Sequence, residues 1–208
     1  MEALPLVGGE LFLDLVNTTG ARTSEAPRER LRSYDDLLTW SVRTNILSPD
    51  AAERLRVDAT AREVEATEAL RQMRELREAL YILFRAIAEG GEPPARSIAR
   101  LGAWWHDERS RRELVSEGGG FAFRLLVREG ELDPMRWPVI ASSVDFLLSE
   151  RTARLRRCAR CDWLFVDESR NGTRIWCKKE CGDRERARRH YARSRRRAGE
   201  SGGSSESI

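Results

Sequence analysis

The stretch CARCDWLFVDESRNGTRIWCKKEC, residues 158–181, contains every cysteine of this 208-residue chain. The cysteines are spaced as C-x2-C-x15-C-x3-C. Two close pairs separated by about 15 residues let two segments each present two thiolates to one tetrahedral zinc ion. The spacing therefore predicts a structural Zn2+ site with the ligands Cys158, Cys161, Cys177 and Cys181.

Other uses of these cysteines fit the sequence less well. A catalytic zinc ion keeps an open coordination position, usually beside histidine or carboxylate ligands, whereas four thiolates close the site. A redox-active C-x-x-C motif normally follows a strand in a thioredoxin-like context, which the sequence lacks. Catalytic zinc and redox chemistry thus remain the alternatives to structural zinc.

The residues between the two pairs predict a small β-structure. Residues 163–166 and 173–176 have strand-like composition, and ESRNG at 168–172 is typical of a turn. The second cysteine pair then lies at the start of a helix that Cys181 opens. This order predicts a treble-clef-like module.

The chain after Cys181 predicts a basic helix. Residues 151–198 contain 17 basic and 6 acidic residues, whereas residues 1–150 contain 20 basic and 26 acidic ones. Guanidinium groups along a helix suit contact with phosphates. We expect Ala187 and Tyr191 to face inward, onto the aromatic residues of the module. The helix residues predicted to contact nucleic acid are Arg184, Arg186, Arg188, Arg189, Arg193 and Arg196.

The same charge pattern has two further interpretations. One is a solvated charged face, although a run of like charges repels itself. The other is protein–protein assembly, in which the acidic body of one chain attracts the basic end of another and forms a homodimer. The pattern does not distinguish DNA from RNA.

The first two-thirds of the chain predict a helical domain. Apolar residues recur at steps of three and four over about Ala61–Glu89, and Ser33 and Ser48 each begin a further helix as N-caps. Residues 121–127 alternate in polarity and precede turn signals at Arg128–Glu131, which predicts a β-hairpin there. The expected fold class is α+β, mostly α: a helical N-terminal domain with a small antiparallel β-hairpin, then the treble-clef-like zinc module and its basic helix.

The apolar run LFLDLVNT, Leu11–Thr18, is compatible with a short strand or a helical turn. Its polar residues Asp14 and Asn17 are the candidate ligand-binding residues of the larger domain. The structural alternative is that they cap or bridge nearby backbone. The sequence contains no Gly-rich phosphate loop, Ser/His/Asp order or carboxylate cluster near a histidine, so we do not expect an enzyme.

The N-terminal sequence MEALPLVGGELFLDL has no basic region before its apolar part. No apolar run in the chain approaches the length of a membrane span. We therefore expect a cytoplasmic protein without a membrane partner.

Residues 157–197 resemble the CGNR zinc finger, whose pattern is C-x-x-C, W-L-F-x-D-x-S-R-N, R-x-W-C, C-G-N-R and a basic helix. The run LFLDLVNT and the helical region after it resemble the ABATE domain that commonly precedes this finger. The resemblance implies a bacterial, stress-induced transcriptional regulator. In it, the zinc module binds DNA and the larger domain senses a small-molecule effector.

The resemblance also assigns individual positions. It places the family's zinc ligands on the four cysteines and its Asp, Ser, Arg and Asn on Asp167, Ser169, Arg170 and Asn171. It adds Arg170 and Arg174 to the predicted nucleic-acid contacts and makes Arg184 the signature arginine. Three residues depart from the pattern, and each makes the module less positive: Asp183, Ile175 and Glu185. We expect Asp183 to cap the first turn of the basic helix.

These patterns divide the chain into four parts. We expect an ABATE-like sensor domain at 1–138, a connecting helix at 139–152 and the CGNR-type finger at 153–197. The Gly/Ser-rich end, residues 198–208, is predicted to be a disordered tail.

Overall fold

The larger domain is built mainly from helices. The computed structural model describes residues 6–22 and 26–201, with the backbone alone described at 196–201. The helices of this domain are α1 (Leu11–Val16), α2 (Tyr34–Arg43), α3 (Pro49–Ala61), α4 (Glu63–Ala88), α5 (Ala95–Arg109) and α6 (Arg136–Leu147). Its strands pair antiparallel as β1 (Thr19–Gly20) with β2 (Arg28–Glu29) and β3 (Arg112–Glu117) with β4 (Gly120–Leu125).

The cysteine module follows this domain directly. A 3-10 helix at Glu150–Arg154 leads into β5 (Leu155–Arg157), which pairs antiparallel with β6 (Leu164–Val166). The helix α7 (Lys179–Ser201) follows the second cysteine pair. The mostly helical α+β fold with small hairpins and a cysteine cluster before a helix confirms the predicted fold class.

The predicted helix starts are confirmed by their caps. Ser33 Oγ accepts from the N–H of Asp36 at 3.1 Å, and the Asp36 carboxylate accepts from the N–H of Ser33, which forms a capping box. Ser48 Oγ accepts from the N–H of Ala51, with Pro49 at the first helical position. Local sequence therefore fixes where α2 and α3 begin.

The main core forms around α1, which settles the run LFLDLVNT as helix. Phe12 of α1 packs on Phe84 of α4, with ring centres 4.2 Å apart, and on Phe146 of α6 at 5.4 Å. The predicted apolar face of α4 is buried here through Leu70, Met73, Leu76, Leu80 and Phe84. Among the described residues, no helix has both the length and the apolarity needed to cross a membrane.

The predicted hairpin exists, but its turn was wrongly placed. β4 pairs with the preceding β3 through Gly118 and Gly119, whose φ angles are 61° and 81°. Positive φ at both central residues matches the twist of a hairpin, which favours glycine there. Arg128–Glu131 does form a turn, because the N–H of Glu131 donates to the carbonyl of Arg128 at 3.1 Å. That turn follows the hairpin and does not close it.

The predicted strand pairing of the module was also wrong. Leu164–Val166 forms a strand as expected, but its partner is Leu155–Arg157, and residues 173–176 lie outside any strand. The latter segment contacts the module without forming a ladder: the N–H of Ala159 donates to the carbonyl of Ile175 at 3.2 Å, and the N–H of Arg174 donates to the Asp167 carboxylate at 2.9 Å. The first cysteine pair therefore lies inside the β-hairpin.

The strand β6 is shared between two cores. Leu164 and Val166 are buried in the main core with the helices of the larger domain. The alternate residues Trp163 and Phe165 are buried with the cysteines. Because successive side chains of a strand point to opposite faces, one strand joins the two domains.

Two predicted boundaries fall on helices. The region predicted as a connecting helix, 139–152, comprises most of α6 and part of the 3-10 helix, and α6 begins earlier, at Arg136. The side chains of Trp137 and Ile140 are buried in the main core. The helix α7 reaches Ser201, and the rest of the predicted tail lies outside the described residues.

Candidate metal centre and nucleic-acid interface

The four cysteine sulfur atoms form one compact cluster. All of them lie within 4.8 Å of one another. Cys161 Sγ is 3.5 Å from Cys177 Sγ, and Cys181 Sγ is 3.7 Å from each of those two. Zn–S bonds of about 2.3 Å in a tetrahedral site place the sulfurs about 3.8 Å apart. The four residues therefore fit the coordination geometry of a single zinc ion.

The first two ligands are held by the tight connection between β5 and β6. The N–H of Cys158 donates to the carbonyl of Trp163 at 2.8 Å, and the N–H of Asp162 donates to the carbonyl of Cys158 at 3.2 Å. Asp162 has φ 62°, and its carboxylate pairs with the guanidinium of Arg157. This left-handed turn directs Cys158 and Cys161 to the same side of the hairpin.

The last ligand lies in the first turn of α7. Cys181 is the third residue of that helix, and its N–H donates to the carbonyl of Lys178 at 3.1 Å. The following residue, Gly182, packs against the Trp176 indole. A Cβ at Gly182 would lie 3.1 Å from Trp176 Cδ1. The absence of a side chain there lets the helix approach the cluster.

The thiols strongly influence one another's ionisation. Hydrogen bonds from the thiols of Cys161 and Cys177, then from backbone N–H groups, lower the pKa of Cys158. The same contact with Cys158 raises the pKa of Cys161 to about 12 and also raises the pKa of Cys177. Buried thiolates this close repel each other, and a divalent cation relieves that repulsion. The chemistry of the cluster thus fits a metal as well as its geometry does.

Arg174 makes internal contacts within the module. Its Nε donates to the carbonyl of Trp176 at 2.8 Å, and a terminal nitrogen donates to the carbonyl of Cys177. Its guanidinium carbon lies 5.0 Å from the centre of the Phe165 ring. The side chain therefore supports the loop that carries the third cysteine, while its residue stays exposed.

Three predicted contact residues on α7 pair with acids of the same helix. Arg188 Nη2 and Arg189 Nε donate to Glu185 at 2.7 and 3.0 Å, and Arg186 pairs with Asp183. The hydrogen bonds from Arg188 and Arg189 lower the pKa of Glu185 to about 2. Glu185, one of the departures from the CGNR pattern, therefore partly neutralises the helix.

Other basic side chains of the module have no internal partner. Across the described residues, no hydrogen bond or ion pair engages the exposed side chains of this set: Arg160, Arg170, Arg184, Arg193 and Arg195. The side chain of Arg196, also predicted to contact nucleic acid, lies outside the described residues. The cationic groups that remain available therefore include the predicted signature residue, Arg184.

The inward face predicted for α7 was wrong. Ala187 and Tyr191 are exposed, with 66% of Tyr191 accessible, while Cys181, Gly182 and Glu185 are buried. Cys181 sets the inward direction, and at about 100° per residue Ala187 points about 120° away from it. Among the described side chains of α7, those of the first two turns pack on the module, and those from Arg186 to Arg195 are exposed to solvent.

The capping role predicted for Asp183 was also wrong. Because α7 begins at Lys179, two residues before Cys181, Asp183 lies past the first turn. Its carboxylate accepts from Arg186 one turn later. The residue acts as an ion-pair partner on the helix surface.

The two candidate ligand-binding residues of the larger domain bind backbone. The buried Asn17 donates from Nδ2 to the carbonyl of Leu164 at 2.8 Å, and its Oδ1 accepts from the N–H of Leu164 at 3.0 Å. Asp14 Oδ1 accepts from the N–H of Gly8 at 2.9 Å, and burial raises the pKa of Asp14 to about 6. The structure thus supports the structural alternative for both.

Two further contacts between the domains were not predicted from the sequence. Trp163 Nε1 donates to the carbonyl of Thr19 at 2.9 Å, and the N–H of Val166 donates to the carbonyl of Gly8 at the same distance. Both use backbone carbonyls, which carry no residue-specific signal. The partners are also more than a hundred positions apart in the chain.

The fold and the cluster define a helical domain joined to a four-cysteine finger. Residues 9–150 match the family profile of ABATE, described as "Putative stress-induced transcription regulator", and residues 154–194 match the CGNR zinc finger. The chain belongs to the ABATE family and carries a C-terminal CGNR zinc finger. The cysteine geometry and the finger match together support zinc binding. No curated protein matches the chain.

Proposed function

We propose that this protein is a DNA-binding transcription regulator whose zinc module presents α7 to the duplex. The observation that carries the proposal is a projecting helix with free guanidinium groups, anchored at its start by the cysteine cluster. The family description as a transcription regulator supports the same function. Residues Arg184, Arg188, Tyr191 and Arg195 repeat at steps of four, three and four, so they share one edge of α7.

This edge has the dimensions of a groove-binding element. From Arg184 to Arg195 it spans about 16 Å, at 1.5 Å per residue, and an α-helix fits the major groove of B-DNA, which is about 12 Å wide. Arginine binds phosphates and guanine edges, and a tyrosine hydroxyl binds phosphate oxygens. The exposure of Tyr191 between arginines, unexplained by packing, makes it an additional candidate contact.

The zinc ion has a structural role in this proposal. Four thiolates leave no open position for a substrate or an activated water, which supports a non-enzymatic function. The metal would hold the β5–β6 hairpin against the first turn of α7. The resemblance implies a bacterial regulator, and bacterial DNA lies in the cytoplasm, so we propose a cytoplasmic location.

We further propose that the larger domain senses a small molecule in the cleft between α4 and α5. The cleft has a volume of about 530 Å3, and its lining includes Ala79 and the half-exposed Ile82. Charged side chains of both signs also line it: Arg71, Arg74, Arg96, Arg100, Glu75 and Glu78. Arg71 and Arg100 pair with Glu75, whereas Arg96 has no partner among the described residues. An apolar surface beside paired and free charges suits a small polar molecule with an apolar body. Asp14 and Asn17 are thereby replaced as the candidate ligand site.

The DNA interface is tested by measuring affinity for a mixed-sequence duplex against salt concentration. We expect log K to fall with log salt by about 0.9 for each phosphate neutralised. Arg184→Gln and Arg195→Gln should each weaken binding and reduce the slope, while zinc content stays unchanged. Arg43→Gln, an exposed arginine of the larger domain, is the matched control.

A flat salt dependence, or equal losses in the Arg43 control, would refute the proposed interface. Light scattering without DNA separates the assembly alternative. Salt-sensitive self-association without duplex binding would favour attraction between the acidic body and the basic end. A parallel titration with single-stranded RNA of the same length decides which nucleic acid is preferred.

A further inference from the structure

The hairpin β3–β4 presents large apolar side chains to solvent. Leu114, Phe121 and Phe123 are 62%, 80% and 66% exposed. Scattered exposed apolar residues are ordinary on a protein surface, but a contiguous group that includes two aromatic rings marks an interaction site. Whether the three residues are contiguous depends on the register of the hairpin.

The register places all three on one face. Leu114 stands opposite Phe123, and Ser116 stands opposite Phe121. Directly paired residues of antiparallel strands share a face, and alternate residues along each strand share it too. We call the set Leu114, Ser116, Phe121 and Phe123 the apolar face. The charged residues Glu113, Glu117 and Arg124 fall on the other face.

The hairpin has little support from the rest of the described chain. Leu125, at its base, is the strand residue that packs against the main core. Also at the base, Arg112 pairs with Glu108 at 2.7 Å. A two-stranded ribbon alone is marginally stable in water and needs a further strand or surface on its apolar side. The exposed face is therefore the side on which a partner would stabilise this element.

We infer that the partner is a second copy of this chain, packed face to face on the apolar face about a two-fold axis. In such an interface the same patch of both copies is in contact, so a charged residue in the patch would lie near the same charge of the other copy and be repelled by it. The register places one charged strand residue on this side of the hairpin, Arg112 at its base, where the guanidinium lies 5.9 Å from the centre of the Phe123 ring. Arg112 is neutralised by Glu108, so the side carries no net charge. Electrostatically, the face is compatible with itself.

The available area agrees with a weak dimer. The exposed fractions of Leu114, Phe121 and Phe123 correspond to roughly 400 Å2 per copy, since aromatic side chains each bury about 150–250 Å2 when covered. Together with adjacent backbone, both copies would bury on the order of 1,000 Å2, the lower bound for a specific interface. We expect a dissociation constant of the dimer in the micromolar range.

Such a dimer goes beyond the proposed DNA contact and does not depend on it. The hairpin and α7 belong to different domains, so association through the hairpin leaves the basic helices of both copies available. A symmetric pair of helices reads two half-sites in inverted orientation. If the protein binds DNA, its site is then expected to be an inverted repeat.

The test compares arginine substitutions on the two faces of the same hairpin, using the full-length zinc-loaded protein without DNA. Analytical ultracentrifugation should show wild type as a dimer at tens of micromolar or above, which is on the order expected for this area. Ser116→Arg should sediment as a monomer, whereas Ala122→Arg, on the opposite face, should still dimerise. High salt should leave the wild-type dimer intact, because its interface is apolar.

A wild-type protein that stays monomeric, or a Ser116→Arg variant that dimerises like wild type, would overturn the inference. Loss of the dimer at high salt would also overturn it, in favour of pairing between the acidic body and the basic end. If the Ser116→Arg variant fails to fold, amide hydrogen exchange of the wild-type protein tests the same interface without a substitution. Protection of residues 112–125 should rise with protein concentration, and protection that does not change with concentration would contradict the inference.

Discussion

Asn17 pairs with Leu164 as if its side chain were a neighbouring strand. Its amide both donates to the carbonyl and accepts from the N–H of Leu164, at 2.8 and 3.0 Å. The two residues are 147 positions apart, and both are buried. One side chain thus satisfies the outer edge of β6 and joins the finger to the larger domain.

Asn17→Leu should destabilise the whole protein. The substitution leaves both backbone groups of Leu164 buried without partners, and each costs about 1–3 kcal/mol. We expect the free energy of unfolding, measured by urea denaturation, to fall by about 2–4 kcal/mol. Asn171→Leu, at an exposed asparagine, should change it little. Equal losses in the two variants would refute the special role of Asn17.

Asp14→Asn should stabilise the protein near neutral pH. Burial raises the pKa of Asp14 from 3.8 to about 6, so the folded protein holds this proton more tightly than the unfolded chain does. The stabilising effect of that proton is complete below pH 3.8 and is lost as the pH rises through about 6. Asparagine removes this loss and still offers an oxygen to the N–H of Gly8.

The measurement is the difference in unfolding free energy between Asp14→Asn and wild type across this pH range. Taking the difference cancels the titration of groups that both proteins share, including the thiols. It should grow from near zero at acidic pH to about 1–2 kcal/mol above the raised pKa, allowing for partial exposure. A difference that is constant with pH would contradict the assignment to Asp14.

Gly182→Ala should weaken zinc retention. The new Cβ would lie 3.1 Å from Trp176 Cδ1 and push α7 away from the cluster. We expect faster zinc loss to a chromogenic chelator than in wild type. Gly102→Ala is the control, because a Cβ at that position in α5 meets open space. It should leave zinc retention unchanged and add up to about 1 kcal/mol of stability.

Zinc removal should destabilise both domains in a single step. Leu164 and Val166 belong to the main core, so losing the order of β6 opens that core as well. We expect chelation to lower the melting temperature of the entire helical signal in circular dichroism. Two separate transitions, with the larger domain unchanged, would show that the shared strand stays in place without metal.

Glu185→Gln should strengthen duplex binding. The glutamate pairs with Arg188 and Arg189, and its removal frees both guanidinium groups. We expect tighter binding and a steeper salt dependence, by up to about two additional phosphate contacts. Asp183→Asn, which frees only Arg186, should have the smaller effect. Unchanged affinity in both variants would mean that these arginines do not face the DNA.

The parts of the structure that were predictable depend on short-range signals. Cysteine spacing gave the metal cluster, and Ser33 and Ser48 gave helix starts, because the interacting groups lie a few residues apart. The hairpin turn was misplaced because Gly118–Gly120 and Gly130 are equally good local turn signals. Only strand pairing distinguishes them, and that depends on Arg112–Glu117, which the sequence did not mark.

The orientation of α7 was predicted wrongly for a related reason. Tyr191 is apolar enough to suggest a core position. However, the β5–β6 hairpin and its cysteines cover the described side chains of only the first two turns of α7, and Tyr191 lies beyond them. The pairing of Asn17 with Leu164 had no local signal at all. An asparagine in an apolar run shows that a polar partner exists, without showing where in the chain it lies.

The two family matches meet between residues 150 and 154, yet no clean cut can be made there. The physical border runs lengthwise along β6, with one row of side chains on each side. A finger expressed alone as residues 154–194 would expose Leu155, Leu164 and Val166 to water, and the remaining fragment would lack part of its core. The units that the two family profiles delimit and the units that fold are therefore not the same in this chain.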